Sequence, residues 1–248
     1  MNKRHRDTSQ GGPNDQFPET TWSMISRLRK SHADLRRPGL EKLSRRYWKP
    51  VYQYVRCAWA KSNEDAKDLT QTFFVWLLEG GEVLKKYEPE RGGFRHYLKG
   101  LLRNFMADQR KALGRIKRGG GVRVFPLDDD LMALKELVPD SKASDPDRVF
   151  DAAWKKQILD AALARVREDF KEGDRAVQFR VFEEYDLSSP DARPTYADVA
   201  AKLGIKESDV RNHLFAVREK LRAEIRAELA ETVTDSRELQ DEWNALFA

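Results

Sequence analysis

An all-α fold is what this 248-residue sequence predicts, on three observations. Apolar residues recur three and four apart over stretches that end at glycine or proline, and no strand-like alternation of useful length appears. Low mean hydropathy goes with 35% charged and 40% hydrophobic residues, which suits small helical cores beneath a charged surface. The expected arrangement is two small helical domains joined by a flexible linker.

Taken in order, residues 1–16 carry positive charge without an apolar centre and read as a disordered tail, not a signal peptide. A first domain is expected over 17–114. Between 39 and 60, Leu40, Leu43, Tyr47, Val51, Tyr54 and Val55 keep helical spacing, and Pro50 is expected to kink or split that helix. Asn63 is the expected N-cap of a second helix, which reaches Leu78 and is closed by Gly80 and Gly81. A loop over 87–93 leads into a third helix, from Phe94 to about Leu113. Residues 115–146 lack sustained periodicity and hold three consecutive glycines at 119–121 and three aspartates at 128–130, the composition of a linker. In a second domain, 147–223, Trp154, Ile158, Ala161, Ala162 and Val166 stripe one helix, and Ala176, Phe179, Val181 and Phe182 another. Residues 224–248 form an acidic C-terminal extension.

The segment TYADVAAKLGIKESDVRNHLFAVREKLR, 195–222, is the most informative. Tyr196, Val199, Ala200 and Leu203 make one stripe, Gly204 sits where the chain must turn, and Val210, Leu214, Val217 and Leu221 make a second stripe. That is a helix-turn-helix pattern, with Ser208, Arg211, Asn212, Phe215 and Arg218 left on the open side of its second helix. Such side chains can reach base edges and phosphates in a major groove.

Charge is segregated. The formal net charge is +5, yet residues 91–123 hold ten Lys or Arg against the single acid Asp108. Residues 128–151 hold eight acids and three bases, and 224–248 hold seven acids and two bases. The basic segment is therefore a candidate polyanion site. The lone Cys57 excludes an internal disulfide and fits a reducing compartment, and no apolar run approaches a membrane span, so a cytoplasmic location is expected. His5, His32, His96 and His213 are scattered, and the glycine run lacks the Lys-Ser/Thr of a phosphate loop. Neither a metal, a cofactor nor catalysis is expected.

The run DAKDLTQTFF at 65–74, the run PERGGFRHYL at 89–98, the pair Arg103-Asn104 and then the helix-turn-helix follow one another in a meaningful order. The chain resembles the sigma-70 family, specifically the compact extracytoplasmic-function factors that keep only the second and fourth sigma domains. The resemblance covers about residues 35–115 and 150–223. It implies that Asp65, Asp68, Leu69, Gln71 and Phe74 bind core RNA polymerase, with Asp68, Leu69 and Gln71 toward the β′ clamp helices and the β flap as a further contact. It implies that Asn104 reads a flipped base of the −10 element, with Phe94 and Tyr97 as loop or stacking residues. Arg91, Arg95, Arg103 and Lys111 are then phosphate contacts or helix supports, and Asp108 completes the family's pattern there. For the −35 element it implies base reading by Arg211 and Asn212, a phosphate contact by Arg218, and contacts by Ser208 and Phe215.

Departures from the family are also visible. Lys67 and Thr72 replace two acids of the polymerase-facing run, and phosphorylation of Thr70 or Thr72 would restore negative charge there. Lys206 stands where the family often has a serine cap, so that cap is weaker or the helix starts later, at Ser208. The expected partners are core polymerase and promoter DNA, with an anti-sigma factor or a Ser/Thr kinase as candidate regulators and no membrane. The competing reading is a stand-alone helix-turn-helix regulator that binds duplex DNA without polymerase. An enzyme such as a recombinase would need a nucleophile and basic cluster that the sequence does not offer.

Overall fold

The computed structural model describes residues 33–59, 62–79, 82–116 and 145–247. The expected tail, Gly80 and Gly81, and the glycine run and aspartates of the expected linker lie outside the described residues. Those described are all-α, with nine helices, two short 3-10 turns and no strand.

Helix α1, Ala33–Trp59, runs through Pro50 and is not split there. A proline inside a helix costs about 3 kcal/mol in a lost hydrogen bond and a ring clash. Here the helix is held by its surroundings, because Leu43, Tyr47, Val51, Tyr54 and Val55 are buried along with Pro50 itself. Helix α2, Asn63–Glu79, is capped one residue earlier than expected, by Ser62. The Ser62 hydroxyl accepts the Asp65 N–H at 3.2 Å and donates to the Asp65 carboxylate at 2.9 Å. Asn63 is diverted to tertiary duty, its Oδ1 accepting from Arg56 Nε at 2.9 Å and the Tyr52 hydroxyl at 3.3 Å.

The short helix α3, Glu82–Lys85, and a 3-10 turn, Pro89–Arg91, lead to Gly92 at φ 128°, a backbone region that suits glycine. Helix α4, Phe94–Ile116, outlasts its expected end by three residues. Helix α5, Pro146–Asp169, begins with Asp145 as N-cap, its carboxylate accepting the Asp147 N–H at 3.1 Å, and with Pro146 in the first turn. Next come α6, Asp174–Asp186, a 3-10 turn at Pro190–Ala192, α7, Tyr196–Leu203, α8, Glu207–Ala230, and α9, Ser236–Phe247.

Two apolar cores organise these helices, and their division differs from that of the expected domains. The larger collects α1, α2 and α4 with Phe150, Trp154, Ile158 and Ala162 of α5, Ile225 and Leu229 of α8, and Leu246 of α9. The smaller joins Val166 and Phe170 to Phe179, Val181 and Phe182 of α6, Val199 and Ala200 of α7, and Val210, Leu214 and Val217 of α8. Helices α5 and α8 therefore pass from one core into the other. At the first core the Trp154 ring lies flat on Tyr47, centroids 4.7 Å apart. Beside it Arg46 pairs with Glu228 and Glu231, both at 3.0 Å, and Arg165 with Glu228 at 2.5 Å. No described helix is long and apolar enough to cross a membrane.

Candidate nucleic-acid interface

The helix-turn-helix forms for local reasons that the sequence carries. The Thr195 hydroxyl accepts the Asp198 N–H at 3.2 Å while the Asp198 carboxylate accepts the Thr195 N–H at 2.9 Å, a reciprocal cap at the start of α7. The Thr195 hydroxyl also donates to the Asp198 carboxylate at 2.6 Å, and that bond foremost, with the one from the Thr195 N–H, holds the Asp198 carboxyl below its usual range. Gly204 closes α7 at φ 67°, ψ 33°, the left-handed conformation in which glycine carries no Cβ penalty. Helix α8 starts at Glu207, not at Ser208. Lys206 caps it without a side-chain bond, and Asp209 reaches back to the Lys206 N–H at 3.3 Å.

On the outer side of α8, Ser208, Arg211 and Asn212 are exposed and Phe215 keeps 66% of its surface in solvent. Among the described residues nothing covers this large apolar ring. Arg218 is placed differently from its neighbours. Its guanidinium makes a bidentate pair with Asp186, both bonds 2.8 Å, and lies over the Tyr185 ring. The Asp186 bonds hold its pKa above the ordinary arginine value, so the charge is fixed and the side chain steered toward α6.

A second feature lies where the loop before α4 meets that helix. A cleft of ≈ 410 Å³ is walled by Lys86, Arg91, His96, Tyr97, Leu101 and Asn104, with Gly92, Gly93 and Gly100 leaving it open. Asn104 is exposed and Arg91 extends into solvent, paired to Glu88 at 2.6 Å. Tyr97 is half-buried, its hydroxyl donating to the Val83 carbonyl. His96 and Lys86 were not singled out from the sequence, though His96, Gly100 and Asn104 share a spacing of four and so one face of α4. Burial, with the neighbouring Arg95 charge, holds the His96 pKa below its usual value.

Two of the residues expected to serve this site do other work. Phe94 is 2% exposed and packs edge-on against Tyr47 and Tyr87, so it is core and not a platform for a base. Arg95 is buried, bonded to Glu242 at 2.9 Å and to Asp151. Burial works against its charge, but the two carboxylates outweigh that and raise its pKa. Arg103 remains exposed, 3.8 Å from Asp147, and Lys99 between them pairs with Asp151 at 2.9 Å. Asp108 and Lys111 are exposed and face each other at 3.3 Å. Three bases of this segment, Arg95, Lys99 and Arg103, thus face acids far away in the chain.

On α2, Asp65 and Thr72 are exposed, and Asp68, Leu69 and Gln71 half-buried. Phe74 is buried, stacked on Trp48 at 5.7 Å. Val75 adds an apolar side chain to this face, 40% exposed. Thr70 corrects an expectation. It is fully buried, its hydroxyl donating to the Ala66 carbonyl at 2.7 Å, so no kinase reaches it in the folded chain.

No protein-family model and no curated protein matches this sequence.

Proposed function

We propose that this protein is a promoter-specificity subunit of the sigma-70 type, which binds core RNA polymerase and directs initiation. The observation that supports it best is the exposed row of Ser208, Arg211, Asn212 and Phe215 on α8, held by a folded helix-turn-helix. In this reading the row meets the −35 duplex, where Arg and Asn can pair with base edges and Phe215 can meet a thymine methyl. Asn104 and the cleft around it take a base from the melted −10 strand. The face of α2 bearing Asp65, Asp68, Leu69, Gln71 and Val75 docks on polymerase. Thr72 is the accessible position at which a phosphate would add charge to that face.

Run-off transcription with purified core polymerase on a library of promoter fragments tests this. Initiation that depends on the protein, and is lost in Asp68→Lys, is the expected result. Absence of both initiation and core binding would sink the reading. A stand-alone duplex-binding regulator is then the alternative, favoured by one observation: the α8 row is open while the Arg95 and Lys99 charges of α4 are already matched by acids.

A further inference from the structure

The acidic C-terminal helix lies against the loop that frames the Asn104 cleft. Gly92, Gly93 and His96 line that cleft and also a neighbouring one of ≈ 570 Å³, whose other wall is α9 with its approach: Thr234, Asp235, Arg237, Glu238, Asp241 and Glu242. The fit is close. A Cβ on Gly93 would stand 2.9 Å from Glu242 Oε1 and 3.0 Å from Glu238 Oε1. Glu242 is 5% exposed and bonds Arg95, and its other oxygen is 3.8 Å from His96 Nδ1.

Its small share of the core marks α9 as the part of this arrangement that can leave. It contributes a single buried apolar side chain to the larger core, Leu246, with Leu239, Trp243 and Phe247 only partly covered. Elements with little buried apolar surface open first. Asp147 and Asp151, by contrast, sit on α5, which is built into that core through Phe150, Trp154, Ile158 and Ala162.

We infer that α9 is an autoinhibitory latch, an acidic segment of this chain that excludes a single DNA strand from the cleft and loop of α4 until it is displaced. The inference rests on the reading of that cleft as a strand-binding site. A strand leaving Asn104 across Gly92 and Gly93 runs against Glu238, Asp241 and Glu242, and its phosphates are repelled by them. When α9 lifts, Arg95 keeps Asp151 but loses Glu242, so the acidic wall is withdrawn and the edge of the loop becomes available.

The test uses the full chain and Glu242→Gln, which keeps the side chain's size and removes its charge. Affinity for a short fluorescein-labelled single-stranded DNA of mixed sequence is read by anisotropy, and amide exchange over 236–247 is followed with and without that strand. The expected result is about tenfold tighter binding by Glu242→Gln, as for release of a closed state that holds most of the population, together with faster exchange in α9 when the wild-type chain binds the strand. Equal affinities with α9 protected throughout would overturn the latch and leave the strand-binding reading standing. No strand binding by either protein, even with core polymerase and a promoter fragment open at −10, would overturn that reading and the latch with it.

Discussion

Trp154 lies flat on Tyr47 at the centre of the larger core, and neither the indole N–H nor the Tyr47 hydroxyl has a hydrogen-bond partner among the described residues. Burial drives the Tyr47 pKa upward, which keeps the phenol neutral. Trp154→Ala is expected to cost about 3–5 kcal/mol, through lost transfer energy and the cavity left behind. Trp154→Phe should cost clearly less, since it removes an unsatisfied donor while keeping a ring; denaturant titration of both variants gives the comparison. At the Asn104 cleft the expectation concerns function. Asn104→Ala should leave the unfolding free energy within about 0.5 kcal/mol of wild type, as for an exposed residue, and under the proposed function should abolish opening at −10, read by permanganate reactivity, while duplex binding through α8 persists.

At the scale of elements, the helix-turn-helix depends on the Thr195–Asp198 cap. Thr195→Ala is expected to lower the Tm by about 2–4 °C, the effect of a lost N-cap in a chain of this size. Because the Asp198 carboxyl is held below its unfolded value by that hydroxyl and by the Thr195 N–H, the cap's contribution is present above the unfolded aspartate pKa. It is lost as pH falls through the lower, folded value, so the Tm difference between Thr195→Ala and wild type should shrink in acid; calorimetry at neutral and acidic pH reads this. Much of the element structure was legible because helical spacing is a local property. Leu43, Tyr47, Val51 and Val55, or Trp154, Ile158, Ala162 and Val166, announce a buried stripe by sequence alone. Where reading failed, tertiary contacts decided. Ser62 and Asn63 are adjacent cap formers, and the choice between them turned on Tyr52 and Arg56. The length of α8 beyond 223 was readable, since Ile225 and Leu229 continue its stripe, but the rise in acidic residues concealed it. The open face of the candidate interface, at Arg211, Asn212 and Asn104, followed from periodicity and resemblance. The engagement of Arg95 did not, because Glu242 lies 147 residues away.

Over the whole molecule, Arg46, Arg165, Glu228 and Glu231 join the N-terminal helices to the C-terminal ones, and the Gln157 amide adds a bond to the Arg46 carbonyl at 2.5 Å. Arg46 is 13% exposed and Glu228 7%. Arg46→Ala is therefore expected to cost about 1.5–3 kcal/mol, because Glu228 loses one of its two guanidinium partners while Arg165 keeps the other, and Arg46→Ala combined with Glu228→Gln should recover part of it in a double-mutant cycle. The passage of α5 and α8 through both cores has a further consequence, for how such a chain can change over generations. Neither half can be exchanged for that of a relative without spoiling a core in the half that stays. Arg211, Asn212 and Phe215, however, point away from both cores on a helix whose inner residues are fixed, so under the proposed function a new recognition specificity can arise by substitution at these outer positions while the rest of the protein is inherited unaltered.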